Sequence, residues 1–323
     1  MRVFFISIEQ EKPSLSFAHC VSRGCRIPRF SALLTATGKL RGSDMENVRG
    51  RTVLVTGASA GIGRAFAKVF AAKGWNVILT ARRLDRLEAL AAEIETKYKV
   101  GAIAIEQDLA APDSVEKLVA AISDRRVLTV DGLVNNAGYS VPGHYAKTAW
   151  ADQDRFLRVM VTVPCELAHV LLPPMVQRRF GRIINVASVA GLIPGAAGHT
   201  LYGASKAFLI RFSESLLLEN RRANVLTTAL CPGFTYTEFH DVIGTRDKVS
   251  KYGKAWWSTS AEVAVAGYDG VMAGKPVVVV GRRAKQISAL MKVLPESVAL
   301  GMVGRQSKTF RSEEPGTSGN EPS

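Results

Sequence analysis

Short apolar segments alternate with longer helix-period segments between residues 51 and 280, and no other feature constrains the fold as strongly. The predicted strands are residues 52–56, 77–80, 102–106, 131–134, 182–187, 225–230 and 277–280. The predicted helices are residues 62–73, 85–98, 112–124, 152–178, 201–221 and 261–273. Strands that alternate with helices pair in parallel and are covered on both faces. The sequence therefore predicts an α/β fold, with one doubly wound domain built on a seven-stranded parallel sheet.

The composition excludes several other classes of protein. Hydrophobic residues make up 47% and charged residues 22%, which is ordinary for a globular domain and excludes a disordered or collagen-like chain. Four cysteines provide no disulfide framework and lie at no zinc-site spacing. They are Cys20, Cys25, Cys165 and Cys231. We therefore expect a reducing, cytoplasmic environment and no metal ion.

The net charge of +14 is dispersed along the chain. A basic protein of this size can bind nucleic acid, an anionic membrane or a phosphorylated ligand. Single-stranded nucleic acid would require basic residues interleaved with aromatic ones, and the sequence has no such run. We expect a basic surface without a nucleic-acid partner.

No uninterrupted apolar stretch is long enough to cross a membrane, which takes about 18 residues. Residues 156–176 come nearest in length, but Arg158, Pro164, Glu166 and His169 interrupt them. We therefore expect no transmembrane span.

The two ends of the chain differ from its centre. Residues 1–44 have no helix or strand period, and we interpret them as a disordered extension, a mis-assigned start before Met45 or a transit peptide. Residues 45–283 form the predicted domain. Residues 284–323 form a basic tail whose apolar residues have helical spacing up to Pro295, and it ends in a low-complexity stretch that we expect to be disordered.

The first strand leads directly into the glycine-rich string TGASAGIG at residues 56–63. Gly57 permits a tight turn, Gly61 lets backbone N–H groups approach a pyrophosphate, and Gly63 lets the helix pack closely on the strand. The alternative is a tight turn without a ligand. The predicted cofactor-binding residues of this loop are Gly57, Ser59, Ala60, Gly61, Ile62 and Gly63.

The residues after the second strand indicate which dinucleotide the loop would bind. A site for NAD usually has a carboxylate here for the ribose 2′-hydroxyl, whereas this chain has Ala81 followed by Arg82 and Arg83. Guanidinium groups bind phosphate, so the pair favours the 2′-phosphate of NADP(H) over NAD. Asp108, after the third strand, fits an acceptor for the adenine amine or an ordinary helix-capping residue.

Three further segments carry chemically useful side chains. NNAG at residues 135–138 ends the fourth strand, and Ser188 follows the fifth. Tyr202 and Lys206 are four residues apart, which places both on one face of a helix. The spacing Tyr-x-x-x-Lys is by itself a weak signal of a catalytic site. It becomes a specific one when it follows TGxxxGxG and a serine at the end of a strand, as it does here.

In this combination, residues 48–283 resemble the short-chain dehydrogenase/reductase family, and the motifs occur in the family's order. The resemblance implies a Rossmann fold and an NAD(P)-dependent oxidoreductase acting on a carbonyl or alcohol, commonly as a homodimer or homotetramer. It also implies further residues beside the cofactor: Asp108, Leu109, Asn135, Asn136, Ala137, Gly138, Tyr202, Lys206, Pro232, Gly233, Thr235 and Thr237.

The family chemistry assigns a role to each catalytic side chain. Tyr202 would be the general acid or base, although a free phenol has a pKa of about 10. Lys206 and the oxidised nicotinamide would favour the phenolate, and Lys206 would also hold the nicotinamide ribose. Ser188 would hydrogen-bond the substrate oxygen where charge develops.

One residue departs from the family pattern. The family usually has an asparagine in the long helix after NNAG, where it completes a proton relay through water, and this chain has Met160. A thioether is only a weak hydrogen-bond acceptor. Either water reaches Lys206 by another route, with Thr162 as a candidate, or the protein is a catalytically impaired, cofactor-binding regulatory or interaction protein.

Residues 234–260 occupy the position of the family's substrate lid and are rich in aromatic residues, which favours an apolar ketone or alcohol as substrate. We interpret His240 in this segment as structural. The chain looks most like the branch of 3-ketoacyl and steroid carbonyl reductases. Two roles stay open for the basic tail: assembly or packing, which we favour, and contact with a membrane surface.

Overall fold

The computed structural model describes residues 50–307 apart from residue 128 and residues 237–255. Within these ranges the strands are β1 Thr52–Thr56, β2 Asn76–Ala81, β3 Ala102–Glu106, β4 Gly132–Asn135, β5 Gly181–Val186, β6 Val225–Pro232, β7 Phe234–Tyr236, β8 Trp257–Thr259 and β9 Val277–Val280. The helices are α1 Gly61–Ala72, α2 Leu84–Tyr98, α3 Ser114–Asp124, α4 Trp150–Leu157, α5 Val163–Gln177, α6 Thr200–Asn220, α7 Ser260–Met272, α8 Arg282–Val293 and α9 Glu296–Ser307.

Seven strands form one parallel sheet in the order β3-β2-β1-β4-β5-β6-β9. The chain builds outward from β1 in one direction and then from β4 in the other. A topological switch point therefore lies between β1 and β4, at the carboxyl ends of the strands, where open α/β sheets bind their ligands. The predicted fold class is confirmed.

Both faces of the sheet are covered because successive residues of each strand point to opposite sides. Val53 and Val55 pack in the apolar cluster that includes buried residues of α1, α2 and α7. Leu54, between them, packs in a second cluster with residues of α3 and α5. Burial on both faces explains why the strands read as continuous apolar runs rather than as alternating patterns.

The long helix predicted over 152–178 is divided by a turn of π-helix at Arg158–Thr162, between α4 and α5. The N–H of Val163 bonds the carbonyl of Arg158, five residues back. Pro164, in the first turn of α5, has no N–H and cannot continue the ordinary ladder. The Arg158 guanidinium pairs with Glu166 across this turn, with a nitrogen–oxygen distance of 2.9 Å.

Trp150–Gln177 is the one helix of the described residues that is long and apolar enough to cross a membrane by length and composition. It contains the stretch 156–176 singled out from the sequence. In this fold it is a core helix, since Leu167, Leu171 and Met175 of α5 are buried against the sheet.

The structure adds elements that the sequence analysis did not assign. A two-stranded parallel ribbon, β7–β8, follows β6, and its three-residue strands are too short to show a period. In the tail, α8 corresponds to the helical spacing noted before Pro295, and α9, after Pro295, is a helix that the sequence analysis did not assign. Residues 1–49 and 308–323 lie outside the described residues, and the predicted domain boundaries stay a prediction.

Candidate active site

The turn between β1 and α1 is held by close backbone packing against the end of β4. Gly57 has a φ of 66°, and a Cβ added there would lie 2.9 Å from the Cα of Ala137. A Cβ on Gly63 would collide with the carbonyl oxygen of Gly57. The Asn136 side chain donates to the carbonyl of Thr56 at 2.8 Å. Close approach therefore confines Gly57 and Gly63 to glycine, and the positive φ of Gly57 is that of a tight turn.

The start of α1 has the chemistry of an anion site. Ala60 precedes the helix without a side-chain capping bond, so the first N–H groups are left for another acceptor. The Arg83 guanidinium reaches across from the end of β2 and donates to the Ser59 hydroxyl at 3.1 Å. The structure therefore brings together residues predicted separately for pyrophosphate and for a 2′-phosphate, and their donors fit a phosphorylated dinucleotide.

Three further predicted cofactor residues lie beyond this turn. The Asp108 carboxylate accepts from the N–H of Ala110 at 3.0 Å and lies 3.5 Å from Arg155. This turn-capping bond corresponds to the ordinary role that the sequence left open for Asp108. Leu109, which follows Asp108 in sequence, is buried, and Arg82, which precedes Arg83, is exposed.

Asn135, predicted to line the cofactor, belongs to a buried polar chain under the site. Its amide donates to Asn185 of β5 at 2.8 Å, and Asn185 donates to Ser213 of α6 at 2.8 Å. Ser213 donates to the carbonyl of Leu209. The chain ties β4, β5 and α6 together in the interior, where such bonds fix one arrangement of the elements.

Ser188, Tyr202 and Lys206 meet at the carboxyl ends of β5 and β6. Ser188 follows β5, caps a short 3₁₀ turn through a bond from Ala190 at 3.1 Å, and hydrogen-bonds the Tyr202 phenol. Lys206 is 5% exposed, and its Nζ lies 5.6 Å from the centre of the Tyr202 ring. Its ammonium donates to the carbonyl of Val186 at 2.7 Å. The three predicted catalytic residues therefore form one cluster.

Burial dominates the electrostatics of this cluster. Burial raises the pKa of Tyr202, and the hydrogen bond from Ser188 opposes that rise. Burial also lowers the pKa of Lys206 to about 8, so the group can change charge near physiological pH. Functional sites commonly contain groups shifted in this way.

Cys231, which the sequence analysis treated as an isolated cysteine, lies at the base of the cluster. It is fully buried in β6, accepts a hydrogen bond from the Ser188 N–H, and is close enough to Lys206 for their charges to interact. Burial raises the pKa of its thiol to about 12. No sequence signal identified it, because its proximity depends on the pairing of β5 with β6.

Met160, at the position where the family usually has asparagine, lies in the π turn and is 1% exposed. A Cβ added to Gly138 would lie 2.8 Å from its sulfur, so the thioether fills the space against the NNAG turn. The polar group expected on this side is thus replaced by apolar packing.

The far side of the site is formed by the chain after β6. Pro232 and Thr235 are buried, and Gly233 leaves room for Ala284 of α8, 3.1 Å from an added Cβ. Tyr236 stacks on Trp257 with ring centres 4.6 Å apart. Thr237 and His240 lie outside the described residues.

Comparison with known proteins identifies the family. Residues 51–248 match the model of the short-chain dehydrogenases. The chain belongs to this family. It is 38% identical over 225 residues to a nodulation protein G of a Rhizobium species, covering 69% of this chain and 89% of the relative.

Other members of the family agree with this assignment. A 3-oxoacyl-[acyl-carrier-protein] reductase of Aquifex aeolicus is 36% identical, with 62% of this chain and 80% of the relative covered. A short-chain dehydrogenase of Sphingobium yanoikuyae, solved in complex with NADPH, is 29% identical with a TM-score of 0.65. That alignment covers 77% of this chain and 98% of the other.

Membership of the short-chain dehydrogenases confirms the predicted enzyme class, an oxidoreductase acting on CH–OH or C=O groups. The family binds NAD or NADP, and the solved structures of the Sphingobium protein and of an L-sorbose reductase from Gluconobacter frateurii contain NADPH. The roles of the individual site residues stay predictions. Among the described residues, no group of three His, Cys, Asp or Glu side chains could hold a metal ion.

Proposed function

We propose that this protein is an NADPH-dependent reductase that converts an apolar ketone to a secondary alcohol, with Tyr202 as the general acid. The cluster of Ser188, Tyr202 and Lys206 carries the proposal, because it joins a proton donor, a second hydrogen-bond donor and a buried cation. In the reverse direction, the same phenol would accept the proton of the alcohol.

The bound cofactor would supply the hydride to the carbonyl carbon. The Ser188 hydroxyl and the Tyr202 phenol would both donate to the carbonyl oxygen and stabilise the negative charge that develops there. Tyr202 would then give its proton to that oxygen and become a phenolate. The ammonium of Lys206, 5.6 Å from the ring centre, favours this phenolate through its charge.

The loop after β1 supports a preference for NADPH over NADH. Arg83 lies just after β2, where an NAD site would require a carboxylate, and its guanidinium donates a hydrogen bond to Ser59. Arg83 is exposed, so its guanidinium can approach a 2′-phosphate without displacing buried groups.

Aromatic residues after β6 support an apolar substrate. Phe234 and Tyr236 of β7 both pack on Trp257 of β8, at ring-centre distances of 5.5 and 4.6 Å. The solved structure of a 7beta-hydroxysteroid dehydrogenase has a TM-score of 0.70 and 25% identity to this chain. Its steroid substrate and the 3-oxoacyl substrate of the Aquifex relative are both largely apolar.

The proposal includes a homodimer or homotetramer located in the cytoplasm. Phe208 and Leu218 on α6 are exposed apolar residues, as are Val293 and Leu300 of the tail helices, and such residues favour contact between copies. The alternative is contact with a membrane surface, which exposed basic residues of the tail such as Lys285 would favour.

Intact Ser188, Tyr202 and Lys206 support catalysis over a purely regulatory role. The test is the loss of NADPH absorbance with purified protein and a panel of apolar ketones and 3-ketoacyl thioesters. Tyr202→Phe should lower turnover by about 10²–10⁴-fold, because the general acid is removed, and should leave NADPH binding unchanged.

Tyr98→Phe, the same change at the end of α2, is the matched control and should leave turnover unchanged. Equal turnover by the wild type and Tyr202→Phe would refute the assignment of Tyr202. NADPH binding without reduction of any ketone would favour the regulatory alternative.

A further inference from the structure

The turn between β3 and α3, residues 107–113, is held by an arginine from another part of the chain, and the roles assigned above do not use this contact. We call it the β3 turn. Arg158, in the π turn between α4 and α5, donates from Nη2 to the carbonyl of Pro112 at 2.5 Å and from Nε to the carbonyl of Ala111 at 3.4 Å. A side chain that is distant in sequence therefore fixes the backbone just after Asp108.

Glu166 of α5 holds the guanidinium of Arg158 in place. Its two carboxylate oxygens accept from Nη1 at 3.0 Å and from Nη2 at 2.9 Å. A fork-shaped contact of this kind fixes the orientation of the guanidinium as well as balancing its charge. The Arg158 side chain is only 20% exposed. The pair is thus an oriented support for the β3 turn, unlike a mobile ion pair on the surface.

The β3 turn presents Asp108, the residue predicted to accept from the adenine amine. The Asp108 carboxylate accepts from the N–H of Ala110 at 3.0 Å, and its carbonyl accepts from the N–H of Ala111 at 3.2 Å. The direction of the carboxylate therefore depends on the path of this backbone. Arg155, three residues before Arg158, lies 3.5 Å from the same carboxylate. Side chains at this spacing share one side of a helix, so two arginines face the β3 turn together.

The π turn also contacts the other half of the cofactor site. Met160, two residues after Arg158, packs against Gly138 of the NNAG turn. A π turn adds one residue to a helix, and such turns are frequent at functional sites. An α-helix rotates by about 100° per residue, so a regular helix here would turn α4 and Arg158 away from their present direction relative to α5. The π turn therefore sets where Arg158 points.

We propose that Arg158 is a positioning residue for the adenosine half of the cofactor, and that it acts by holding the β3 turn so that Asp108 faces adenine. The inference rests on the predicted contact of Asp108 with adenine, and it does not depend on the proposed reduction of a ketone. It separates two kinds of arginine in the cofactor site. Arg83 would bind the 2′-phosphate directly, whereas Arg158 would act on adenine, which NADH and NADPH share.

The experiment measures ligand binding by the full chain through tryptophan fluorescence. Arg158→Ala should weaken the binding of NADPH and NADH by the same factor, about tenfold, the effect of one hydrogen bond out of position. Adenosine 2′,5′-bisphosphate, which carries only the adenosine half, should be weakened by the same factor. Nicotinamide mononucleotide, which lacks adenosine, should bind with unchanged affinity. Unchanged affinity for the bisphosphate would overturn the proposal, and so would an equal loss for the mononucleotide.

Arg178→Ala is the matched control for lost stability. Arg178 also bonds a backbone carbonyl, that of Val130 at 3.1 Å, and a carboxylate, that of Asp131 at 3.2 Å, but both partners precede β4 at the amino edge of the sheet. Both variants should unfold at lower urea concentrations than the wild type. Only Arg158→Ala should lose affinity for the adenosine ligands. An equal loss in Arg178→Ala would mean that Arg158 has only a structural role.

A double-variant cycle tests whether Arg158 acts through Asp108. Asp108→Ala should weaken the bisphosphate by about tenfold, and adding Arg158→Ala should cause little further loss, because coupled residues are not additive. Additive losses, or no loss in Asp108→Ala, would overturn the proposal. Arg158→Lys keeps the charge but not the fork, and it should weaken the same ligands by a smaller factor. If Arg158→Ala does not fold, Arg158→Lys carries the comparison, and binding equal to that of the wild type would refute the role of Arg158.

Discussion

The site has two regions that are built in different ways. The cofactor region, residues 56–63 with Arg83, uses closely packed backbone and an uncapped helix start. The reaction region, formed by Asn185, Ser188, Tyr202 and Lys206, uses buried polar side chains from β5 and α6. The turn of the cofactor region depends on glycines, which have no side chain, whereas the reaction region depends on buried polar side chains.

The difference shows how each region can fail. In the cofactor region an added methyl group meets backbone, which cannot move aside without shifting α1. In the reaction region a removed polar atom deprives a buried partner such as Ser213 of a hydrogen bond. Four substitutions test this contrast, and they follow in order of decreasing expected effect.

Gly63→Ala should have the largest effect and would break the cofactor region. The new Cβ would collide with the Gly57 carbonyl, and we expect a loss of about 3 kcal/mol in stability from overpacking, together with loss of NADPH binding. Urea unfolding and a fluorescence titration with NADPH measure the two effects. Gly195→Ala is the control, since an added Cβ there meets nothing within 4 Å. Similar results for both variants would contradict the argument from close packing.

Arg83→Ala should weaken NADPH binding by about 10–100-fold, because a hydrogen bond to a charged phosphate is lost. Binding of NADH should not change, since it has no 2′-phosphate. Parallel titrations with the two cofactors measure the difference. Arg125→Ala, an exposed arginine at the end of α3, controls for the lost charge. Equal weakening toward both cofactors would place Arg83 outside a 2′-phosphate pocket.

Lys206 should make stability dependent on pH. Its folded-state pKa is about 8 against an ordinary value of 10.5, so between these values the unfolded chain binds more protons and stability rises with pH. From pH 8 to about pH 9.5, the wild type should gain on the order of 2 kcal/mol relative to Lys206→Met. Urea unfolding of both proteins across this range measures the gain, and parallel curves would show that Lys206 is not a buried cation.

Met160→Asn should have the smallest effect of the four substitutions. It tests whether apolar packing at this position, rather than a missing polar relay, describes the reaction region. An amide packed against Gly138 in place of the thioether should cost about 1–2 kcal/mol in stability, and turnover should stay about the same. Met160→Leu keeps the apolar packing and is the control. Thermal unfolding and NADPH oxidation measure both variants. A tenfold rise in turnover for Met160→Asn would instead show that the missing relay limits the enzyme.

The sequence predicted most of the cofactor region because its signals are local. A strand, three glycines and a helix occur in one string. Gly63 is confined to glycine by the Gly57 carbonyl inside that string, whereas Gly57 is confined by Ala137 after β4. The strands were equally predictable, since burial on both faces gives each of them an apolar run. The ribbon β7–β8 was missed because three-residue strands show no period.

The reaction region was predictable only in part. Ser188, Tyr202 and Lys206 stand in recognisable motifs, whereas Cys231 carries no local signal. Cys231 reaches Ser188 because β5 pairs with β6. In the same way, no motif identifies Arg158 beside the cofactor site, since it reaches the turn after β3 only in the folded chain.

By itself, the sequence determined the parallel α/β fold and predicted the phosphate loop and three catalytic side chains. The fold and the loop follow from periodicity and from glycine chemistry, which act over a few residues, whereas the three side chains follow from motifs that resemble those of the family. The tertiary structure decided that Met160 packs against Gly138, that the Lys206 ammonium is buried, and that Arg158 bonds the turn after β3. Packing and desolvation depend on residues far apart in the chain, and they exist only after the strands have paired.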